Sequence, residues 1–121
     1  MNINVETRDY FVSTSLQGRF TASYDQLVKV FGEPQCSETS GDGKVDIEWE
    51  LTVEDKEFGF SPKPVTIYNW KDYDGGLEAM TNPKYEWHIG GLNFSDAVSL
   101  KEYFQRRLFE REYFENSVGV A

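Results

Sequence analysis

Four stretches of this chain alternate apolar and polar residues, and two others space their apolar residues as a helix does. The first alternation covers residues 11–22, with Val12, Thr14, Leu16, Gly18 and Phe20 on one side and Ser13, Ser15, Gln17 and Arg19 on the other; this predicts a strand. Tyr24, Leu27, Val28 and Phe31 then follow the face of a short helix. Ser23 is its cap, Gln26 the capping-box partner, and Gly32 and Pro34 the stop.

After the loop-forming run QCSETSGDG comes the cleanest alternation. Val45, Ile47, Trp49, Leu51 and Val53 point one way, and Asp46, Glu48, Glu50, Thr52 and Glu54 the other. DKEFGFSPKP reads as a turn, because Pro62 and Pro64 exclude a central strand there. Residues 65–71 predict the next strand, with Val65 and Ile67 opposite Tyr68 and Trp70. KDYDGGLEAMTNPK reads as a polar loop. YEWHIGG reads as a short strand with Trp87 and Ile89 on one side and Glu86 and His88 on the other.

From Asn93 or Ser95 a longer helix is predicted, with Ala97, Leu100, Phe104 and Leu108 as its buried stripe. The order β-α-β-β-β-α describes an α+β fold of two layers: a mostly antiparallel sheet of about four strands, one short helix and one longer C-terminal helix. No repeat or composition break divides the chain, so residues 1–121 are expected to form a single domain. Residues 109–121 carry Phe109, Tyr113 and Phe114, more aromatic surface than one small sheet needs; this segment is expected to fray or to dock a partner, a second copy included.

Charge narrows the partners. Among 121 residues, 21 are Asp or Glu and 12 Lys or Arg, a net charge of -9 that disfavours binding to a phosphate backbone and suits a basic protein surface. The aromatic share of 16% argues for a folded core despite a mean hydropathy of -0.58. Cys36 and His88 are the single cysteine and histidine, so no internal disulfide can form and a zinc site built on those residue types lacks ligands. The polar start MNINVETRDY has no apolar signal region, and no run approaches the roughly 18 apolar residues of a spanning helix. A cytosolic protein without membrane contact is expected.

Two groups of residues carry candidate chemistry. The first is acidic: Asp46, Glu48 and Glu50 on one strand face, with Glu54, Asp55 and Glu57 beyond, a surface for a basic groove. The run DIEWE lacks the following lysine that a carboxylate-dependent nuclease uses, and neither a nucleophile elbow nor a phosphate-binding loop accompanies His88. No enzyme, metal site or cofactor is therefore expected. The second group is Tyr68, Trp70, Lys71, Trp87 and His88, rings and cations on adjacent predicted strands, beside Gly90 and Gly91, whose amides before a helix start could hold an anion. Together they would suit a small nucleotide.

The blocks TSLQGRFTASYDQLVKVFGEP, KVDIEWEL, VTIYNWKDY and EWHIGG resemble, in order and spacing, a family of small uncharacterised proteins of tailed phages and related viruses, over about residues 14–98. The chain departs from that pattern after Leu100 and around Phe58 to Pro64. The resemblance implies an accessory protein acting in an infected host cell. The leading expectation is a non-enzymatic inhibitor of a host antiviral defence complex, in the manner of anti-CRISPR proteins. The alternative is a sponge for a nucleotide immune signal.

Overall fold

The computed structural model describes residues 3–10, 12–37, 39–57 and 61–119, the last five as helical backbone. Phe11 of the first predicted strand, Phe58 of the predicted turn, and Val120 and Ala121 of the C-terminal extension lie outside the described residues. The elements are β1 (Ile3–Thr7), β2 (Ser15–Ala22), α1 (Tyr24–Phe31), β3 (Glu48–Asp55), β4 (Lys63–Tyr68), α2 (Leu77–Thr81), β5 (Tyr85–Gly91) and α3 (Phe94–Gly119). The fold is α+β, as expected, with a five-stranded sheet in the order β1-β3-β4-β5-β2, every neighbouring pair antiparallel.

Two elements go beyond the predicted set. The polar start forms β1, whose five residues pair with Leu51–Asp55 of β3. The loop after β4 contains α2, a helix of five residues that follows Gly76 in a left-handed conformation, φ 90°. Helix α1 keeps its predicted signals. The Ser23 hydroxyl accepts from Gln26 N at 3.1 Å, the Gln26 side chain accepts from Ser23 N at 3.0 Å, and Gly32 ends the helix with its N–H on Val28 O.

Helices α1 and α3 cover one face of the sheet. Trp49, Leu51, Val65, Ile67, Trp87 and Ile89 point into this layer, where they meet Leu27 of α1 and Ala97, Leu100 and Phe104 of α3, all buried. The two indoles pack edge to face at 5.4 Å, and Phe20 meets Phe104 the same way at 5.2 Å.

The first predicted alternation breaks at a bulge. Leu16 pairs with Gly90, but it is Gly18 that pairs with Ile89, so Gln17 is the extra residue. Leu16 and Arg19 consequently share the uncovered face, while Phe20 turns to the helices. Gly18 faces α3 so closely that a Cβ there would stand 3.3 Å from Ala97 Cβ. Thr14 and Val12, predicted as strand residues, precede β2 instead.

β1 and β2 follow one another in the chain yet occupy opposite edges of the sheet. The link between them passes over the face that the helices leave open, where Val12, Ser13 and Thr14 lie. Thr14 Oγ1 is 3.3 Å from Thr66 Oγ1 on β4. Gly90 sits beneath this crossing: a Cβ on it would be 2.6 Å from Thr14 Oγ1 and 2.4 Å from Thr66 Oγ1. The glycine is there because nothing larger fits under the strap.

At the other end of the molecule α3 outruns the sheet. Its 26 residues span roughly 39 Å at 1.5 Å per residue, and its buried stripe ends with Phe104 and the partly buried Leu108. Phe109, Tyr113 and Phe114 are exposed, the first two stacked on each other at 6.3 Å.

Candidate functional site

Across the open face runs one row of side chains, each from a different strand. Glu48 of β3 is paired with Tyr68 of β4, Tyr68 with His88 of β5, and His88 with Arg19 of β2. Antiparallel registry thus brings a carboxylate, a phenol, an imidazole and a guanidinium into line. A second row beside it contains Glu50, Thr66, Gly90 and Leu16. A hollow of about 620 Å³ lies between the rows, the strap and Trp70.

The rings form a corner. Tyr68 stands edge-on to both His88 (5.5 Å, 76°) and Trp70 (6.0 Å, 75°), and Trp70 and His88 lie nearly parallel, 26° apart, with centroids 6.0 Å apart. Two ammonium groups approach the Trp70 ring, Lys44 Nζ at 5.8 Å and Lys71 Nζ at 5.5 Å from its centroid. Arg19 Nε donates to His88 Nε2 at 3.4 Å and lies 3.9 Å from Glu86 Oε1. Burial, and then the Arg19 charge, push the His88 pKa down, so the imidazole is neutral at neutral pH.

A buried polar network fixes this corner from below. Asn69 Oδ1 accepts from Asp46 N at 2.7 Å and Ile47 N at 2.9 Å, and its amide donates to Asp46 Oδ2 at 2.9 Å and Asp72 Oδ2 at 3.0 Å. The Tyr85 hydroxyl also donates to Asp72, and burial and that bond push its pKa up. Lys71 N donates to Lys44 O at 2.7 Å, tying the loop after β4 to the loop before β3. Lys71 and Tyr73 adopt left-handed backbones, φ 56° and 55°, in a turn held by these contacts.

The carboxylate end is less satisfied. Among the described residues neither the Glu48 nor the Glu50 side chain has a hydrogen-bond or ion-pair partner, although both line the hollow. Their backbones are firmly set: Glu48 exchanges two main-chain hydrogen bonds with Cys36, and Glu50 N donates to Gln35 Oε1. Arg8, opposite Glu50, is buried, but its Nε donates to Leu51 O and its Nη1 to Tyr10 O. Desolvation and the neighbouring Glu50 raise the Glu48 pKa, against a smaller opposing pull from Arg8.

That shift carries a sign. Below the ordinary glutamate value of about 4.3 both folded and unfolded chains hold the proton; above it the unfolded chain releases first, so ionising Glu48 costs stability as pH rises. Glu48→Gln should therefore melt higher than the parent at about pH 7 and with it at about pH 3.5. A gap of equal size at both pH values would show that Glu48 is not the destabilised carboxylate.

Several predicted site residues fall elsewhere. Asp46 is buried, 2% exposed, and accepts from Thr39 as well as Asn69, so it belongs to the network and not to an acidic surface. The predicted alternation holds along β3, but that strand begins only at Glu48; in the loop before it Asp46 is turned inward and Val45 lies on the hollow, the reverse of the predicted faces. Glu54 follows Glu48 and Glu50 on the open face, opposite Asn4 of β1, whereas Asp55 lines a different hollow with Lys63 and Phe94. Glu57 is exposed in the following turn, its N–H on Asp55 Oδ1.

Trp87 is fully buried against Trp49 on the helix side, with its indole N–H on Ala22 O at 2.9 Å, and cannot stack on a ligand beside His88. Gly90 and Gly91 are the last residues of β5, laddered to β4 and β2 on either side, so they do not form a free anion-binding turn ahead of α3. Tyr68, Trp70 and His88 do converge, with Lys71 at the Trp70 ring. Sequence reasoning passed over Arg19, Lys44, Thr14 and Thr66. Only Arg19 left a signal, its polar place opposite Phe20 in an alternating strand, and the bulge disguised which neighbour, Leu16, shares its face.

No protein-family model matches this chain, and neither the curated proteins nor the solved structures give a match. Among the described residues no group of three or more His, Cys, Asp or Glu side chains is arranged to hold a metal ion, and no helix is long and apolar enough to cross a membrane.

Proposed function

We propose that this chain is a non-enzymatic binding protein that takes a basic surface of a partner protein onto the open face of its sheet. One observation carries the reading: Glu48 and Glu50 lie unpaired in the same hollow as the Tyr68 and Trp70 rings. A desolvated carboxylate at Glu48, with the half-buried Glu50 beside it and neither hydrogen-bonded nor ion-paired, is costly to the free protein, and an incoming cation relieves that cost. The net charge of -9 would also steer a basic partner towards the molecule. The resemblance of the four sequence blocks to tailed-phage proteins supplies the setting: an infected host cell, with a defence complex as the partner that is blocked.

The test is affinity capture from bacterial host lysate with the parent and the Glu48→Gln/Glu50→Gln variant side by side, followed by titration of the purified pair. The variant should bind at least about tenfold more weakly, a difference of about 1.4 kcal/mol, and lose much of the salt dependence. Equal affinity in a folded variant would overturn the reading.

A second reading, the nucleotide sponge, is favoured by the gathering of Lys44 and Lys71 at Trp70 and of Arg19 at His88. Glu48, Glu50 and Glu86 line the same hollow and oppose it, since each repels a phosphate. Melting the protein with cyclic and linear nucleotides separates the two readings: a midpoint rise that Lys71→Ala abolishes would favour the sponge.

A further inference from the structure

Resting on the basic-partner reading, we infer that the hollow recognises a single arginine side chain of the partner through its guanidinium, in preference to lysine. Glu48 and Glu50 are two residues apart on the same face of β3, about 7 Å between Cα atoms at the rise of a strand. Among the described residues neither carboxylate makes a hydrogen bond or ion pair with one of the protein's own cations, although the Arg8 charge is near enough to act on Glu48. A guanidinium carries five N–H donors in one plane along two edges, so it can donate to both carboxylates at once, whereas an ammonium is a point charge that serves one of them well.

The surroundings reinforce this choice. Glu48 is desolvated enough to shift its ionisation, and a guanidinium, being more weakly hydrated than an ammonium, loses less on entering such a place. Tyr68 adjoins Glu48 in the cross-strand row, offering a planar cation a ring beside the carboxylate. Ammonium groups already occupy the outer edge of the corner, where Lys44 and Lys71 meet Trp70.

The protein's own arginines bracket the row without filling its acidic end. Arg19 is engaged with His88 and Glu86, and Arg8 gives its Nε and Nη1 to main-chain oxygens, with only its buried Nη2 left without a hydrogen-bond partner. A hollow of about 620 Å³ admits an arginine together with the backbone on either side of it.

Two synthetic peptides of identical Gly/Ser spacing, one with three arginines and the other with three lysines, test this by calorimetry on the full chain. The arginine peptide should bind at least about tenfold tighter, and the preference should vanish in the Glu48→Gln/Glu50→Gln variant, whose melting curve verifies its fold. Equal binding of both peptides, lost together in the variant, would overturn the guanidinium assignment and leave the basic-partner reading standing. Failure of both peptides to bind the parent would overturn both. Arginine preference that survives in the variant would place the site elsewhere and overturn the assignment as well.

Discussion

Trp49→Ala should lower the stability of the protein by about 3–5 kcal/mol. The side chain is fully buried in the middle of β3, edge-on to Trp87 at 5.4 Å and tilted against Tyr24 of α1 at 5.8 Å. Its indole N–H also donates to Gly32 O, the carbonyl at the end of α1, at 2.8 Å. Truncation therefore opens a void between the sheet and α1 and removes the bond that pins the end of that helix. Trp49→Phe separates the two contributions: it keeps most of the volume and loses the hydrogen bond, for which about 1 kcal/mol is expected. Urea unfolding followed by circular dichroism gives both numbers. A Trp49→Ala protein within half a kcal/mol of the parent, well under the roughly 3 kcal/mol floor, would mean that α1 does not close over β3 as described.

Asn69→Ala should cost about 2–5 kcal/mol, because each buried polar group that loses its partner costs about 1–3 kcal/mol. Asn69 is wholly buried, and its amide satisfies two main-chain N–H groups and two carboxylates. The two main-chain N–H groups lose their acceptor once the amide is gone, whereas Asp46 keeps Thr39 and Asp72 keeps Tyr85. Asn69→Asp is the sharper test. It preserves the shape but places a third carboxylate between Asp46 and Asp72, so it should be worse than alanine at neutral pH and recover in acid, where a protonated group can donate again. If Asn69→Asp melts like the parent across that range, the network does not hold the corner. Trp70 and Lys71 follow Asn69 directly in the chain, so both variants should also weaken whatever the corner binds.

Much of the covered layer was legible because it depends on local rules. The capping box of α1 needs only Ser23 and Gln26 three residues apart, and the alternation around Trp49 and around Ile67 assigns each side chain a face without knowledge of any partner strand. The same rule placed Glu48, Glu50, Tyr68 and Trp70 opposite the core, and the structure brings these residues around one hollow.

What escaped depends on pairing. INVET is too short to declare itself a strand until β3 lies beside it. The bulge at Gln17 is invisible to a count of alternating residues, so Leu16 and Arg19 were assigned opposite sides. Asp46 looked like one more outward carboxylate because the partners that hold it inside, Thr39 and Asn69, are 7 and 23 residues away. Gly90 and Gly91 suggested a loop because the reason for Gly90 being small, the strap above it, comes from a distant part of the chain.

The exchange of edges between β1 and β2 bears on how the molecule comes into being. The hairpin of β3 and β4 joins residues close in sequence, but β2 must wait for β5, whose Trp87 pairs with Phe20 across most of the chain. Loop-closure entropy of this kind slows folding, which for sheet topologies dominated by distant pairings takes roughly milliseconds to seconds. The row Glu48, Tyr68, His88, Arg19 needs three strand pairings to exist, the last of them the distant one. No chain that lacks β5 has this row, so an emerging chain on the ribosome can complete the grip only after His88 has been synthesised.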